Sequence, residues 1–276
     1  KGQGPAECVS IGNFIPYREE LLIQASNPSK VMFYDLSGRY KKESGMIKRN
    51  GFSYLIHYYN NRLYFHRSSL PTFKGLSAVV DTPQVILSTD PEGKDLTELI
   101  SFPTKDYAVA SKKGARGYIP LNELTAVPYL EKFLIINHTC HYLLKLFDLQ
   151  KNEVVLEFNR EYKRVTPPPG FKIKSGMSLD GKKEVMVPTP EYLNDIEQIF
   201  VRKDKIWVFT STKDEKKGIL VDIFDSKGRY VDNFYIKLDG KLMDIYYDDF
   251  FFLQKDEDDT PFIVKYRKVK ETAKQQ

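Results

Sequence analysis

Two stretches far apart in the chain repeat one another: Val31-Met-Phe-Tyr-Asp-Leu-Ser-Gly-Arg-Tyr40 and Val221-Asp-Ile-Phe-Asp-Ser-Lys-Gly-Arg-Tyr230. Val, Asp, Gly, Arg and Tyr stand at matching places. In outline each is a β-hairpin: an alternating strand enters, Asp opens the turn, Gly supplies a positive φ angle, and the next strand leaves. Weaker copies run from Ile86 to Lys94, from Leu144 to Asn152 and, more degraded, from Phe262 to Arg267. A repeat of this kind restricts the chain to architectures made by stacking copies of one small unit, because a lone unit cannot bury its own apolar face.

Upstream of each copy lies a second hairpin. Its returning strand reads Leu21-Leu-Ile23, Leu63-Tyr-Phe65, Phe133-Leu-Ile135, Ile206-Trp-Val208 and Phe250-Phe-Phe252, each after a short polar turn and an earlier apolar segment. Every unit is therefore a meander of strands A, B, C and usually D. No segment has helical periodicity. The expected fold is all-β, a β-propeller of four-stranded antiparallel blades with five blades visible. Residues 1–276 form a single domain in this reading, with 268–276 as a charged tail. A sandwich or barrel built from ordinary hairpins is the competing reading. Five units in one A-B-C order, two with the same turn, favour radial repetition.

The phrase Lys205-Ile-Trp-Val-Phe209, followed by Gly218-Ile-Leu-Val-Asp-Ile-Phe-Asp-Ser-Lys-Gly-Arg-Tyr-Val231, resembles six-bladed NHL-like or TolB-like propellers. Gly2-Gln-Gly-Pro-Ala-Glu7 resembles their Gly-x-Gly-Pro-Gly-Glu-Phe connector, with Ala6 for the usual Gly and Cys8 for the usual Phe. The resemblance is sharpest at 204–236 and 31–40. It extends to the six-bladed propellers of unknown function found among bacterial exported lipoproteins. It implies six blades and a periplasmic or cell-surface setting. The last unit stops after strand C and the chain opens at Lys1 on a connector, so an upstream blade or closing strand is expected to be missing. A genuine five-bladed ring is the alternative.

In a meander blade the A–B and C–D turns emerge on one face and the B–C and D–A connections on the other. The A–B and C–D turns here are short. The long connections, 68–84, 103–126 and 160–195, are all B–C or D–A. Long loops on a rigid scaffold are where binding usually resides. The insertions 103–126 and 160–195 together hold four of the chain's five net positive charges. That excess suits steering of an anionic partner, with Lys112, Lys113 and Arg116 as the binding candidates; solvated surface lysines are the plainer reading. The overall charge is too mild to argue for nucleic acid. No apolar run reaches membrane-spanning length.

Innermost-strand residues line the channel, and His57, Glu197 and Asp244 are its polar candidates. A histidine and two carboxylates do acid–base work only where they converge. His138-Thr-Cys-His141 contains metal-ligand types. Alternation along a strand puts His138 and Cys140 on one face and His141 on the other, and no second Cys/His pair completes a site, so no metal is expected. Asn137-His-Thr139 is a glycosylation sequon. No phosphate loop, nucleophile elbow or zinc-protease motif occurs, and no cofactor is called for. The leading expectation is a non-enzymatic scaffold binding a protein, peptide or glycan through the elaborated face. The rival is a propeller hydrolase or lyase acting on a glycan or peptide through channel residues.

Overall fold

The computed structural model describes residues 4, 6–26, 29–45, 52–68, 77–110, 116–173, 187–237, 240–246 and 249–267. Five meanders follow in chain order. The first is β1 (Ile11–Tyr17), β2 (Glu20–Ser26), β3 (Ser29–Asp35) and β4 (Tyr40–Glu43). The second is β5 (Phe52–Tyr59), β6 (Arg62–Ser68), β8 (Gln84–Thr89) and β9 (Thr97–Phe102). The third is β12 (Leu124–Tyr129), β13 (Phe133–His138), β14 (Leu144–Asp148) and β15 (Glu153–Phe158). The fourth is β16 (Ile196–Arg202), β17 (Lys205–Asp214), β18 (Gly218–Phe224) and β19 (Tyr230–Ile236). The fifth has three strands, β20 (Lys241–Tyr246), β21 (Asp249–Lys255) and β22 (Pro261–Arg267). Innermost strands neighbour one another in the order β1, β5, β12, β16, β20. The architecture is that of a β-propeller with antiparallel blades.

Each pair of consecutive blades shares a core. Leu22 and Phe33 meet Leu55, Leu63 and Phe65; Tyr64 and Ile86 meet Leu134, Ile136 and Phe147. Ile135 and Leu144 meet Ile206, Val208 and Phe224, and Trp207 and Phe209 meet Phe250 and Phe252. Successive strand residues point to opposite sheet faces, so B strands facing a neighbour on each side read as unbroken apolar runs. Ile206 and Val208 go to the third blade, Trp207 and Phe209 to the fifth, and all four are buried.

The innermost strands of four blades carry a bulge: at one place in β1 and β16, between Ile11 and Asn13 and between Ile196 and Gln198, and two residues nearer the A–B turn in β5 and β20, between Leu55 and His57 and between Leu242 and Asp244. In β1 and β16 the residue after it clamps the next blade. Asn13 Nδ2 donates to the Leu55 carbonyl, and Gln198 Nε2 to the equivalent Leu242 carbonyl. Bulges bend a strand and raise its twist, as close packing around an axis requires.

The C–D turns follow the repeat. Asp35 Oδ1 accepts from Ser37 N and Arg39 N, and Asp225 Oδ1 from Lys227 N and Arg229 N. Gly38 and Gly228 hold φ at 83° and 70°. Gly228 also lies so close to the Phe158 side chain that a Cβ there would collide with it.

The insertions depart from the sequence reading, which treats them as loops. β7 (Ser77–Asp81), from 68–84, joins β10 (Lys105–Ala110) and β11 (Arg116–Pro120), from 103–126, in a three-stranded sheet of order β11-β10-β7. Its two-residue alternation is short and interrupted, and its pairing joins segments far apart in sequence, which no local pattern announces.

Candidate functional site

Two faces carry candidate sites. On the first, the A–B and C–D turns lie together. Gln150 Nε2, in a C–D turn, donates to Tyr59 OH beside an A–B turn, and Arg18 NH2 donates to Glu131 at 3.0 Å across two A–B turns. A cleft of about 700 Å³ opens here between the first two blades, walled by Tyr17, Tyr58, Tyr59 and the turn residues beside them. Behind the wall, His57 is buried against Tyr17, Tyr59 and Tyr64, with Nε2 on the Glu131 carbonyl. Burial pushes its imidazole below the usual histidine range.

The second face bears the insertions, and the second and third of them converge on Thr139, in the B–C turn of the third blade. Thr139 Oγ1 accepts from Glu123 N, and Thr139 N donates to the Glu123 carbonyl, at the end of the second insertion. The Thr139 carbonyl accepts from Asp195 N at the end of the third. Arg164 adds bonds to Asp195 Oδ1 at 3.0 Å and to the Cys140 carbonyl. Gln84, closing the first insertion, accepts from Leu124 N and pairs with His66. The three insertions thus rise from one face.

A buried polar cluster anchors the third insertion. Asp222 is fully buried and accepts from Arg160 Nε at 2.7 Å and Tyr142 OH at 2.5 Å. Arg160 also lies over the Tyr142 and Tyr162 rings. Burial, then the Asp222 charge, pushes the Tyr142 hydroxyl far above the usual tyrosine range. Asp222 itself is fully buried, and its bonds to Arg160 and Tyr142 tie the start of the third insertion to the fourth blade. No local pattern in the sequence links Tyr142, Arg160 and Asp222.

Each of the three acid–base candidates has its own hydrogen-bond partner. His57 is held by the third blade, Glu197 by Ser211 Oγ at 2.6 Å, and Asp244 by Ile245 N at 2.7 Å. No hydrogen bond joins any two of them among the described residues. His57 and Asp244 do occupy equivalent places, each directly after a bulge. Of the basic candidates, Lys112 and Lys113 lie outside the described residues, and Arg116 is the first residue of β11, paired with Ala110.

The expected alternation through His138 to His141 fails because β13 ends at His138 and the chain turns. The His138 and His141 rings stack with centroids 5.5 Å apart, beside an apolar cleft of about 250 Å³. Among the described residues no group of three His, Cys, Asp or Glu is arranged to hold a metal. The sequon asparagine is buried, with Nδ2 donating to the His141 and Leu143 carbonyls. It presents no free amide for glycosylation.

No family model and no curated protein sequence matches the chain. Solved structures do. Hsv2p of Kluyveromyces lactis aligns at 12% identity over 94% of this chain and 72% of that one, TM-score 0.37. Hsv2 of Kluyveromyces marxianus aligns at 9% identity over 95% and 88%, TM-score 0.39. Apo AztD of Citrobacter koseri aligns at 10% identity over 87% and 74%, TM-score 0.31. The fold assignment rests on this chain's own sheets.

Proposed function

We propose that this chain is a non-enzymatic binding propeller of the six-bladed NHL-like or TolB-like kind, working outside the cytoplasm. It docks an anionic protein, peptide or glycan on the face that carries the insertions. The observation supporting this is the junction at Thr139, where segments from three parts of the chain are tied into one raised surface. A preorganised surface loses less conformational freedom on binding than separate loops would. The net positive charge of the insertions supplies long-range attraction for an anionic partner.

The test uses photo-crosslinking residues at exposed Glu161 and Lys172 on the insertion face, and at Lys132 and Lys151 on the short-turn face. Partner crosslinks should arise from the first pair. Neutralising Lys112, Lys113 and Arg116 together should then slow association and flatten its salt dependence. Crosslinks concentrated at Lys132 and Lys151 would overturn the docking face.

A further inference from the structure

The cleft of about 700 Å³ lies on the opposite face from the proposed docking surface, and its chemistry is different. Its two cations are already neutralised. Arg18 pairs with Glu131 at 3.0 Å and Lys41 with Glu20 at 3.1 Å. The remaining ionised group in the wall is the exposed Glu19 carboxylate. An anionic ligand would have to compete with two existing carboxylates and face a third. The cleft is therefore poorly suited to the partner expected on the other face.

It is well supplied with neutral hydrogen-bonding groups. Among the described residues no hydrogen bond uses the Tyr17 hydroxyl, the Asn60 amide or Asn61 Nδ2; Asn61 Oδ1 accepts from Tyr58 OH at 3.0 Å. Phenol, amide and carboxylate together offer donors and acceptors side by side. The Tyr17 and Tyr59 rings stand in the wall, each packed against His57, and the Arg18 guanidinium lies over the Tyr17 ring at 5.2 Å. The Tyr59 hydroxyl is fixed by Gln150 at 2.7 Å. Asn60 and Asn61 hold φ at 47° and 56°, which by itself explains Asn in a two-residue turn. Tyr17 and Tyr58 also belong to the core between the first two blades, and Tyr59 packs on the next; neither that packing nor the turn explains a cavity within the usual size range for small-ligand pockets.

We propose that this cleft binds a neutral oligosaccharide. Its hydroxyls would meet the mixed donors and acceptors of Tyr17, Asn60 and Asn61, and the C–H face of a sugar ring would lie against tyrosine. This site is independent of the docking face proposed above.

Titration calorimetry of the whole chain would use neutral tri- and tetrasaccharides built from glucose, mannose, galactose, xylose and N-acetylglucosamine. A galacturonate trimer serves as the anionic control. At least one neutral sugar should bind, and the galacturonate trimer more weakly. The double variant Asn60→Gly/Asn61→Gly removes both amides yet suits the positive φ of the turn, and should weaken binding at least tenfold. Tyr17→Phe should weaken it severalfold. Neutralising Lys112 and Lys113 should leave it unchanged. Failure of every neutral sugar at millimolar concentration would overturn the proposal. So would binding indifferent to the Asn60/Asn61 change in a variant that melts like the parent, or a preference for galacturonate.

Discussion

The short-turn face and the insertion face are built by different means. On the first, each turn is made by residues within a few positions of one another, as in the Asp35 and Asp225 turns that bond their own backbone. Contacts between turns are sparse and exposed, such as Arg18 with Glu131. On the second, order comes from groups distant in sequence: Tyr142 and Arg160 on Asp222, Arg164 on Asp195, and Thr139 between two insertions. Local turns tolerate change one at a time. A buried network fails when one member is removed, because the remaining charge has no water to turn to.

The largest expected effect follows. Arg160→Met leaves the buried Asp222 carboxylate with Tyr142 alone and should cost about 3–5 kcal/mol in a urea titration. Trp207→Ala, in the core between the fourth and fifth blades, should cost a similar amount, about 3–5 kcal/mol. Arg18→Met, which breaks the exposed pair on the other face, should leave the midpoint unmoved. If Arg160→Met and Arg18→Met unfold alike, the contrast between the faces is wrong.

The same contrast decides what could be read in advance. The repeat around Asp35 and Asp225 revealed the blades because a turn and two alternating strands are a local pattern. Apolar runs such as Ile206-Trp-Val208 revealed the returning strand of each meander. The A-B-C-D order placed all three insertions on one face, as the structure shows. The sheet of β7, β10 and β11 stayed hidden, since it depends on pairing across an intervening hairpin. His57, Glu197 and Asp244 belong to innermost strands in the sequence reading, and they lie on β5, β16 and β20, but their individual hydrogen-bond partners could not be read in advance. A bulge after Leu55 turns His57 into the blade interface, and such a bulge leaves no sequence mark. The cleft at Tyr17 and Asn60 was likewise missed, because its wall joins two blades.

A smaller effect concerns acid. Burial holds His57 on the short-turn face, and His66 and His138 on the insertion side, below the usual histidine range. Protonation therefore favours the unfolded chain, and stability should decline as pH falls below about 6.5, the unfolded value. Asp35 and Asp225, held at about 2 by hydrogen bonds from Ser37 and Arg39 and from Arg229, contribute stability above pH 4 that is lost only on further acidification. The two windows are separate. His57→Gln should start from a lower melting temperature yet show a shallower fall between pH 6.5 and 5. A slope equal to the parent's would place the acid sensitivity wholly on the insertion side.

The smallest effect has the opposite sign. Asp106, at the second position of β10, is buried, and burial raises its carboxyl above the usual aspartate range. A carboxyl with a raised folded value favours folding while protonated and opposes it once ionised. Stability should therefore be lost as pH rises from the unfolded value near 4 through the higher folded one. Asp106→Asn keeps the shape and removes the charge, so it should raise the melting temperature at pH 7 and leave it unchanged at pH 3. Arg160→Met lowers stability because it removes the partner of a buried charge; Asp106→Asn removes the charge itself. A lower melting temperature at pH 7 would mean that the ionised carboxylate has a favourable partner in the insertion sheet.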